Sequence, residues 1–466
     1  MTKKENILII GAGLCGSLLA LRMAQRGYQV QLLEKRPDLR KVNIGAGRSI
    51  NLAFSDRGIK GMRLVGLEES VKKHCIPMLG RMIHDKEGNT FLSAYSGREK
   101  EFINSISRTS LNALLLDEAE KMPNVTILFN HSCIKVDLEH ASATFFDENH
   151  KKEIIFQGDI IIGADGAGSV LRKSMFLHRK FLFSFSQNFL THGYKELSFP
   201  ATKEGNFATG KGALHIWPRG ENMVIALPNK DGSFTVTLFL SYREGEYNFD
   251  NLTTPKRVTE YFQKEYPDAL ALMPNLETEF FQNPVGALGT VKCYPWSSYG
   301  KTLLIGDAAH AVVPFYGQGM NASFEDVVVF DAILEKHQGN WHKVFTEYEK
   351  ARKKDTDAIA DLALDNFHEM KEHTASAIFQ EKRKLETTFE KEFPLEYYSK
   401  YSLVTFQEDI PYSEAMRLGR AQDKAIINLI ADGKIRADHS HREILDLVKK
   451  ETEAILHDDA VVKNLM

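Results

Sequence analysis

The chain has 466 residues, of which 43% are hydrophobic and 26% charged, with a formal net charge of -3 at pH 7. That length suits two or three domains around a large core, and the composition excludes a disordered chain. The charge balance gives no basis for binding nucleic acid or an anionic membrane surface.

In chain order, Asn6–Ile10 reads as a strand, Leu14–Arg26 as a helix and Gln29–Leu33 as a second strand ending at Glu34. Lys3-Lys4 and the uncharged run Asn6–Leu21 mimic a signal peptide. Three glycines at fixed spacing, in a run short for a membrane span, favour a nucleotide-binding turn. That turn is Gly11-Ala12-Gly13-Leu14-Cys15-Gly16. Gly11 permits the turn, Gly13 lets a pyrophosphate approach the backbone, and Gly16 lets helix and strand pack closely. Glu34 stands where an acid receives a ribose hydroxyl, which suits FAD or NAD better than NADP. No second such turn exists, so a nicotinamide cofactor is expected to visit transiently.

Leu111–Lys121 reads as a helix, Val125–Asn130 as a strand, and Asp159–Gly163 as a strand running into Asp165-Gly166. From about Phe181 to Val291 alternation replaces helical periodicity, at Leu214–Trp217, Met223–Leu227 and Phe234–Leu240. This predicts a mostly antiparallel sheet. The strand Thr302–Ile305 then breaks at Gly306-Asp307, and the chain runs through Gly317-Gln318-Gly319 into a helix. A carboxylate there can accept from sugar-like hydroxyls, and the helix start offers free amides and a positive dipole end. Helices follow at about Phe324–Lys336 and Trp341–His373, and onward to the end.

The pattern predicts an α/β fold: a Rossmann-like FAD-binding domain interleaved with a mostly antiparallel β-sheet substrate domain, plus a C-terminal helical region. The expected divisions are 1–70, 101–180 and 292–375 for the first, 71–100 and 181–291 for the second, and 376–466 for the third. Four cysteines without a Cys-x-x-Cys pair read as thiols in a reducing compartment, with a disulfide left open, and no metal-ligand spacing occurs. No segment is long and apolar enough to span a bilayer, so a cytoplasmic protein is expected.

Gly163-Ala164-Asp165-Gly166-Ala167-Gly168-Ser169-Val170-Leu171-Arg172 resembles the Asp-Gly motif of single-component flavin hydroxylases. Gly306-Asp307 with Pro314 resembles their second flavin motif. With the glycine turn, the chain is similar to FAD-dependent aromatic hydroxylases of the p-hydroxybenzoate hydroxylase type. Longer strings carry a closer resemblance, to the kynurenine 3-monooxygenase family. They are Gly47-Arg48-Ser49-Ile50-Asn51-Leu52-Ala53, Ile76-Pro77-Met78 with Arg81-Met82-Ile83-His84, Leu214–Arg219, and Gly306–Asn321.

The resemblance implies bound FAD, NADPH as a transient co-substrate, and O2, with L-kynurenine hydroxylated to 3-hydroxy-L-kynurenine through a flavin C4a-hydroperoxide. Another aromatic substrate, such as a phenolic acid, is the alternative. It places Gly11, Gly13, Gly16, Glu34, Ala53, Arg108 and Asp307 on FAD, with the amides of Gly319, Met320 and Asn321 facing the charge of the reduced flavin. It places Arg81, Tyr95, Asn366 and Tyr412 on the substrate, and no residue as acid or base. Taken from spacing alone, Arg108 reads as an exposed helix-start cation and Tyr412 as a core-edge residue. Family members that are eukaryotic add a C-terminal membrane anchor, which is not expected here. Tyr316 departs from the Phe or His common at its position.

Overall fold

A computed structural model describes residues 5–42, 51–372 and 377–465. The motif residues Gly47–Ile50 and His373 lie outside the described residues.

Six strands form a largely parallel sheet, in the order Ser297–Ser298, Thr302–Leu304, Ile160–Gly163, Asn6–Ile10, Gln29–Leu33, Val125–Leu128. Ile9 lies beside Leu32 on one side and Ile162 on the other. These runs are apolar without alternation because helices cover the sheet. Leu14–Gln25, Arg108–Glu120 and Gly319–Lys336 pack together over it, and Ile7, Leu8, Ile9, Leu18 and Leu111 are fully buried.

The second sheet has seven strands, in the order Val285–Tyr294, Ser184–Phe199, Phe234–Ser241, Asn222–Pro228, Ala213–Arg219, Gly80–His84, Thr90–Ala94. All pairings are antiparallel except Ala213–Arg219 with Gly80–His84. Its two faces differ. One buries Trp217, Val236 and Leu238 against helices Pro255–Glu265 and Leu276–Gln282. The other carries Leu214, Ile216, Ile225 and Phe239 into a cavity. Val236 and Thr237 therefore point opposite ways, as strand alternation requires.

The sixteen-residue strand Ser184–Phe199 lies within the expected antiparallel region without being delimited by the sequence, and the antiparallel trio His131–Asp137, Ser142–Asp147, Lys152–Gln157 was not expected. The former begins with seven residues of largely exposed polar and aromatic side chains, and the latter mixes charges into its alternation, so neither gives a clean two-residue period. The helix expected from Phe324 starts at Gly319, and the one expected from Leu111 starts at Arg108. In both cases the first turn is polar or glycine-containing, which hides it from a periodicity argument. Beyond Trp341–Glu372 lie Ala377–Glu392, Lys400–Thr405, Tyr412–Ala431 and His441–Leu465. Among the described residues no helix is long and apolar enough to cross a membrane.

Candidate active site

A continuous cavity of about 670 Å³ runs from the glycine turn of the first sheet to the inner face of the second. Gly11, Gly13, Glu34, Ala53, Arg108, Asp307, Gly319 and Met320 line one end, and Arg81 and Tyr95 the other.

The glycine turn is built as its spacing predicts. Gly11 has φ +100°, and a Cβ there would sit 2.6 Å from the Ala164 carbonyl oxygen. At Gly16 a Cβ would fall 2.0 Å from the Gly11 oxygen, so Gly16 acts from behind the cavity by letting helix and strand touch. Gly13 differs, because open space surrounds its missing Cβ. It begins Leu14–Gln25 with no side-chain cap, leaving first-turn amides available to an anion. Glu34, at the end of Gln29–Leu33, accepts from the Ala12 amide at 2.9 Å and from the Arg36 amide and Nε at 3.0 and 2.8 Å. Burial works against its charge, but Arg36 and these amides outweigh that and hold the carboxyl below its usual range.

The Asp-Gly segment supplies a second cradle. Asp165 Oδ2 accepts from the Val170 amide at 2.7 Å, while the buried Oδ1 has no partner. Gly166 and Gly168 have open space around them. Burial pushes the Asp165 carboxyl up, against the hydrogen bonds from Ser169 and the Val170 and Leu171 amides. Side-chain-free backbone at Gly166 and Gly168, in the same cavity as an uncapped helix start, fits the pyrophosphate of a dinucleotide.

Asp307 faces the same cavity. Burial raises its carboxyl, and the nearby charges of Arg108 and His310 oppose the rise. Arg108 is thus not merely a surface cation: it opens Arg108–Glu120 on the cavity wall, with Ser107 capping that helix. The Gly306–Asn321 loop is pinned from beneath. Asp326 accepts from the Gly306 amide at 3.0 Å, from His310 Nε2 at 2.6 Å and from Arg352 Nε at 2.7 Å. Asn321 donates to the Ala53 and Gly317 carbonyls at 2.9 and 3.0 Å and accepts from the Ser55 amide at 3.1 Å. Its side chain therefore serves as a brace and does not line the cavity. Gly319–Lys336 starts at this loop without a side-chain cap, so its positive end faces the space beside Gly319 and Met320.

At the other end, Arg81 lies on Gly80–His84, paired with Leu214 on one side and Ser93 on the other. Its guanidinium carbon is 4.6 Å from the Tyr401 ring centre and 5.6 Å from that of Tyr95. Tyr95, Tyr401 and Tyr316 stack in sequence, with centroids 5.6 and 5.5 Å apart. Among the described residues Arg81 has no carboxylate partner. A guanidinium facing a cavity without an acid has the chemistry to receive an anionic group.

Two expected substrate residues stand elsewhere. Tyr412 is corrected: its ring is fully buried beneath the Arg57 guanidinium, 4.0 Å away, and its hydroxyl donates to Gln318 Oε1 at 3.0 Å. Tyr401, eleven residues earlier on Lys400–Thr405, holds the cavity position instead. Asn366 does not line the cavity either; its Nδ2 donates to the Phe315 carbonyl at 2.6 Å, behind a residue that does. Arg57 was not anticipated. It donates to Glu325 at 2.6 Å, to the Val404 carbonyl at 2.8 Å and to the Gln407 carbonyl at 2.9 Å, tying the segment after Tyr401 to the start of Gly319–Lys336. Nothing local in Ser55-Asp56-Arg57 reveals that role. Tyr401 had a faint signal, in the aromatic cluster Tyr397-Tyr398-Tyr401 at one-turn spacing.

Residues 4–363 match the family described as "FAD binding domain". The chain is 44% identical over 436 residues to the kynurenine 3-monooxygenase of Myxococcus xanthus, covering 94% of this chain and 93% of that protein. It is 42% identical over 457 residues to the kynurenine 3-monooxygenase of Dictyostelium discoideum, covering 95% and 96%. Among solved structures it resembles 2-methyl-3-hydroxypyridine-5-carboxylic acid oxygenase, with a TM-score of 0.61 and 19% identity over 84% of this chain and 97% of that one. It also resembles the tetracycline destructase Tet(51), with a TM-score of 0.59 and 17% identity over 85% and 100%.

Proposed function

The chain belongs to the kynurenine 3-monooxygenase family of FAD-binding proteins, and from that premise we propose how its cavity hydroxylates L-kynurenine to 3-hydroxy-L-kynurenine with NADPH and O2. The observation that carries the reading is Arg81: a guanidinium without an acid partner among the described residues, flanked by Tyr95 and Tyr401, in the same cavity as a glycine turn of dinucleotide-binding type.

Bound FAD supplies acceptance of hydride from NADPH and activation of O2. The protein holds and orients. Gly11, Gly13 and Gly16 admit the pyrophosphate to the start of Leu14–Gln25, and Glu34 receives the ribose. Ala53, Arg108 and Asp307, which line the cavity, would hold the flavin, and the uncapped start of Gly319–Lys336, with Gly319 and Met320 on the wall and the Asn321 amide in the same turn, would stabilise negative charge on it. Arg81 grips the substrate carboxylate, with the Tyr95 and Tyr401 hydroxyls as further donors. Asn366 acts at one remove, by fixing Phe315. Leu214, Ile216, Ile225 and Phe239 exclude water from the aromatic ring. The aniline lone pair activates that ring, so no protein base is needed for oxygen attack.

In this reading 1–70, 101–180 and 292–375 bind FAD, 71–100 and 181–291 bind substrate, and 376–466 closes the carboxylate end through Tyr401. Support comes from Gly80–His84 and Thr90–Ala94 joining the sheet of 181–291. Four unpaired cysteines support action in a reducing compartment such as the cytoplasm.

The test follows NADPH oxidation with and without L-kynurenine under ¹⁸O2. The expected result is kynurenine-stimulated oxidation and a product carrying one labelled oxygen. Stimulation by a phenolic acid and not by kynurenine would overturn the assignment.

A further inference from the structure

We propose that the segment Phe176–Phe189 docks this protein on an anionic lipid surface, with Leu182 inserted among the acyl chains and Lys173 and Arg179 at the headgroups. This goes beyond the hydroxylation reading and does not rest on it. Five large apolar side chains of the segment are exposed, Phe176, Leu177, Leu182, Phe185 and Phe189, and Leu182 is 98% exposed. They stand together. Phe176 and Leu177 lie three and four residues after Lys173 on the helix Val170–Leu177, so the three share a side of it. The Phe176 and Phe185 rings are 6.1 Å apart, and Phe189 follows Phe185 by four residues on the same face of Ser184–Phe199. Single exposed leucines are ordinary on a protein surface, but a contiguous apolar patch marks a contact site.

The segment is braced from beneath. Arg172 is buried, donates to the Ala308 carbonyl at 2.7 Å and sets its guanidinium carbon 5.1 Å from the Phe185 ring centre. Phe181 packs against His178 and Tyr299, with ring centres 5.1 and 5.3 Å away, and the Tyr299 hydroxyl donates to Glu139 at 2.6 Å. Leu182, the next residue after Phe181, is therefore displayed from a fixed support.

The charge around the patch selects the partner. Residues 166–195 contain no aspartate or glutamate, in a chain that has 62. The strand Val285–Tyr294, paired with Ser184–Phe199, lies in a second acid-free stretch, residues 280–306. Lys173, Arg179 and Lys180 are exposed. Glu139 reaches across to Lys180 at 3.0 Å, but Lys173 and Arg179 have no acid partner among the described residues. The whole-chain charge of -3 averages this feature away. A second copy seated symmetrically here would set like charges face to face, which disfavours it as the occupant. A bilayer suits both features: its acyl region takes the protruding Leu182, and its headgroups take cations that reach up from beside it.

The experiment sediments the FAD-loaded protein with vesicles of phosphatidylcholine alone and of phosphatidylcholine mixed equally with phosphatidylglycerol. Binding to the mixed vesicles, weakened by added salt, and not to the neutral ones is expected. Leu182→Ser should weaken it about tenfold or more, and Lys173→Gln and Arg179→Gln about fivefold each. These side chains are exposed and outside the cavity, so the variants should keep flavin absorbance and NADPH oxidation measured without vesicles. Leu395→Ser, which removes a leucine 88% exposed in the C-terminal region, should change nothing. No binding of the unsubstituted protein to the mixed vesicles, or equal weakening by Leu395→Ser, overturns the proposal. So does a dimer in light scattering that Leu182→Ser dissociates, because a second copy is then the occupant. Binding of soluble polyglutamate as tight as that of the vesicles overturns it too, in favour of an acidic protein.

Discussion

The two ends of the cavity are made differently. The end with the glycine turn is largely backbone: a glycine turn within six consecutive residues, an Asp-Gly segment and an uncapped helix start line it. The substrate end is side chains collected from distant segments, with Arg81 from one strand, Tyr401 from a C-terminal helix, Tyr316 and Phe315 from a loop, and Thr237 from a strand interior. A backbone site tolerates almost no added atom but spreads its binding over many amides. A side-chain site concentrates its energy in a few removable groups.

The largest effect expected from that contrast is at Gly16. Gly16→Val places a side chain against the Gly11 carbonyl, which is backbone and cannot yield, so the purified variant should carry no flavin absorbance even after FAD is added. Flavin retention there would break the comparison.

Next, Arg81→Ala should retain flavin yet lose on the order of 2–5 kcal/mol of kynurenine binding, since a buried charge contact is lost. Isothermal titration of the FAD-loaded variant checks it, and undiminished affinity would remove Arg81 from the carboxylate. Arg81→Lys should recover only part of the loss, because a point charge lacks the planar fork.

Smaller still is Glu34→Gln. The folded carboxyl of Glu34 lies below its usual value, so its stabilisation is present above the unfolded value of about 4.3 and is lost as pH falls through the lower folded value. The variant should be less stable than wild type at pH 7, by about 1–3 kcal/mol, the range of a charged hydrogen bond. Urea unfolding should show the gap closing below about pH 4; a gap that widens there would reverse the sign.

The smallest effect sharpens the comparison. Tyr412→Phe removes one buried hydrogen bond to Gln318 and should cost about 1 kcal/mol of stability with little change in KM. Tyr401→Phe should raise KM for kynurenine and leave thermal stability nearly unchanged. Equal KM effects from the two would return Tyr412 to the substrate.

The nucleotide end was legible because its logic is local. Gly11, Gly13, Gly16 and Glu34 sit in one strand-turn-helix-strand unit, and short-range sterics dictate their spacing. Gly306-Asp307 and Gly317-Gln318-Gly319 were readable for the same reason, as a strand end and a helix start. At the other end, the resemblance named Arg81 and Tyr95, and both line the cavity, since they lie in a continuous stretch with a fixed offset. It failed at Tyr412, in a helical region where several tyrosines compete and a shift of a few turns changes which ring faces inward.

The sequence by itself determined the glycine turn between strand and helix and the alternation of the second sheet. It could do so because backbone sterics and strand periodicity act over a few residues. Only the tertiary structure decided that Tyr401 and not Tyr412 faces Arg81, and that Arg57 clamps the C-terminal segment to the start of Gly319–Lys336. Those facts depend on which side chains from separated segments reach the same space, and that is fixed by packing and by the pairing of buried polar groups.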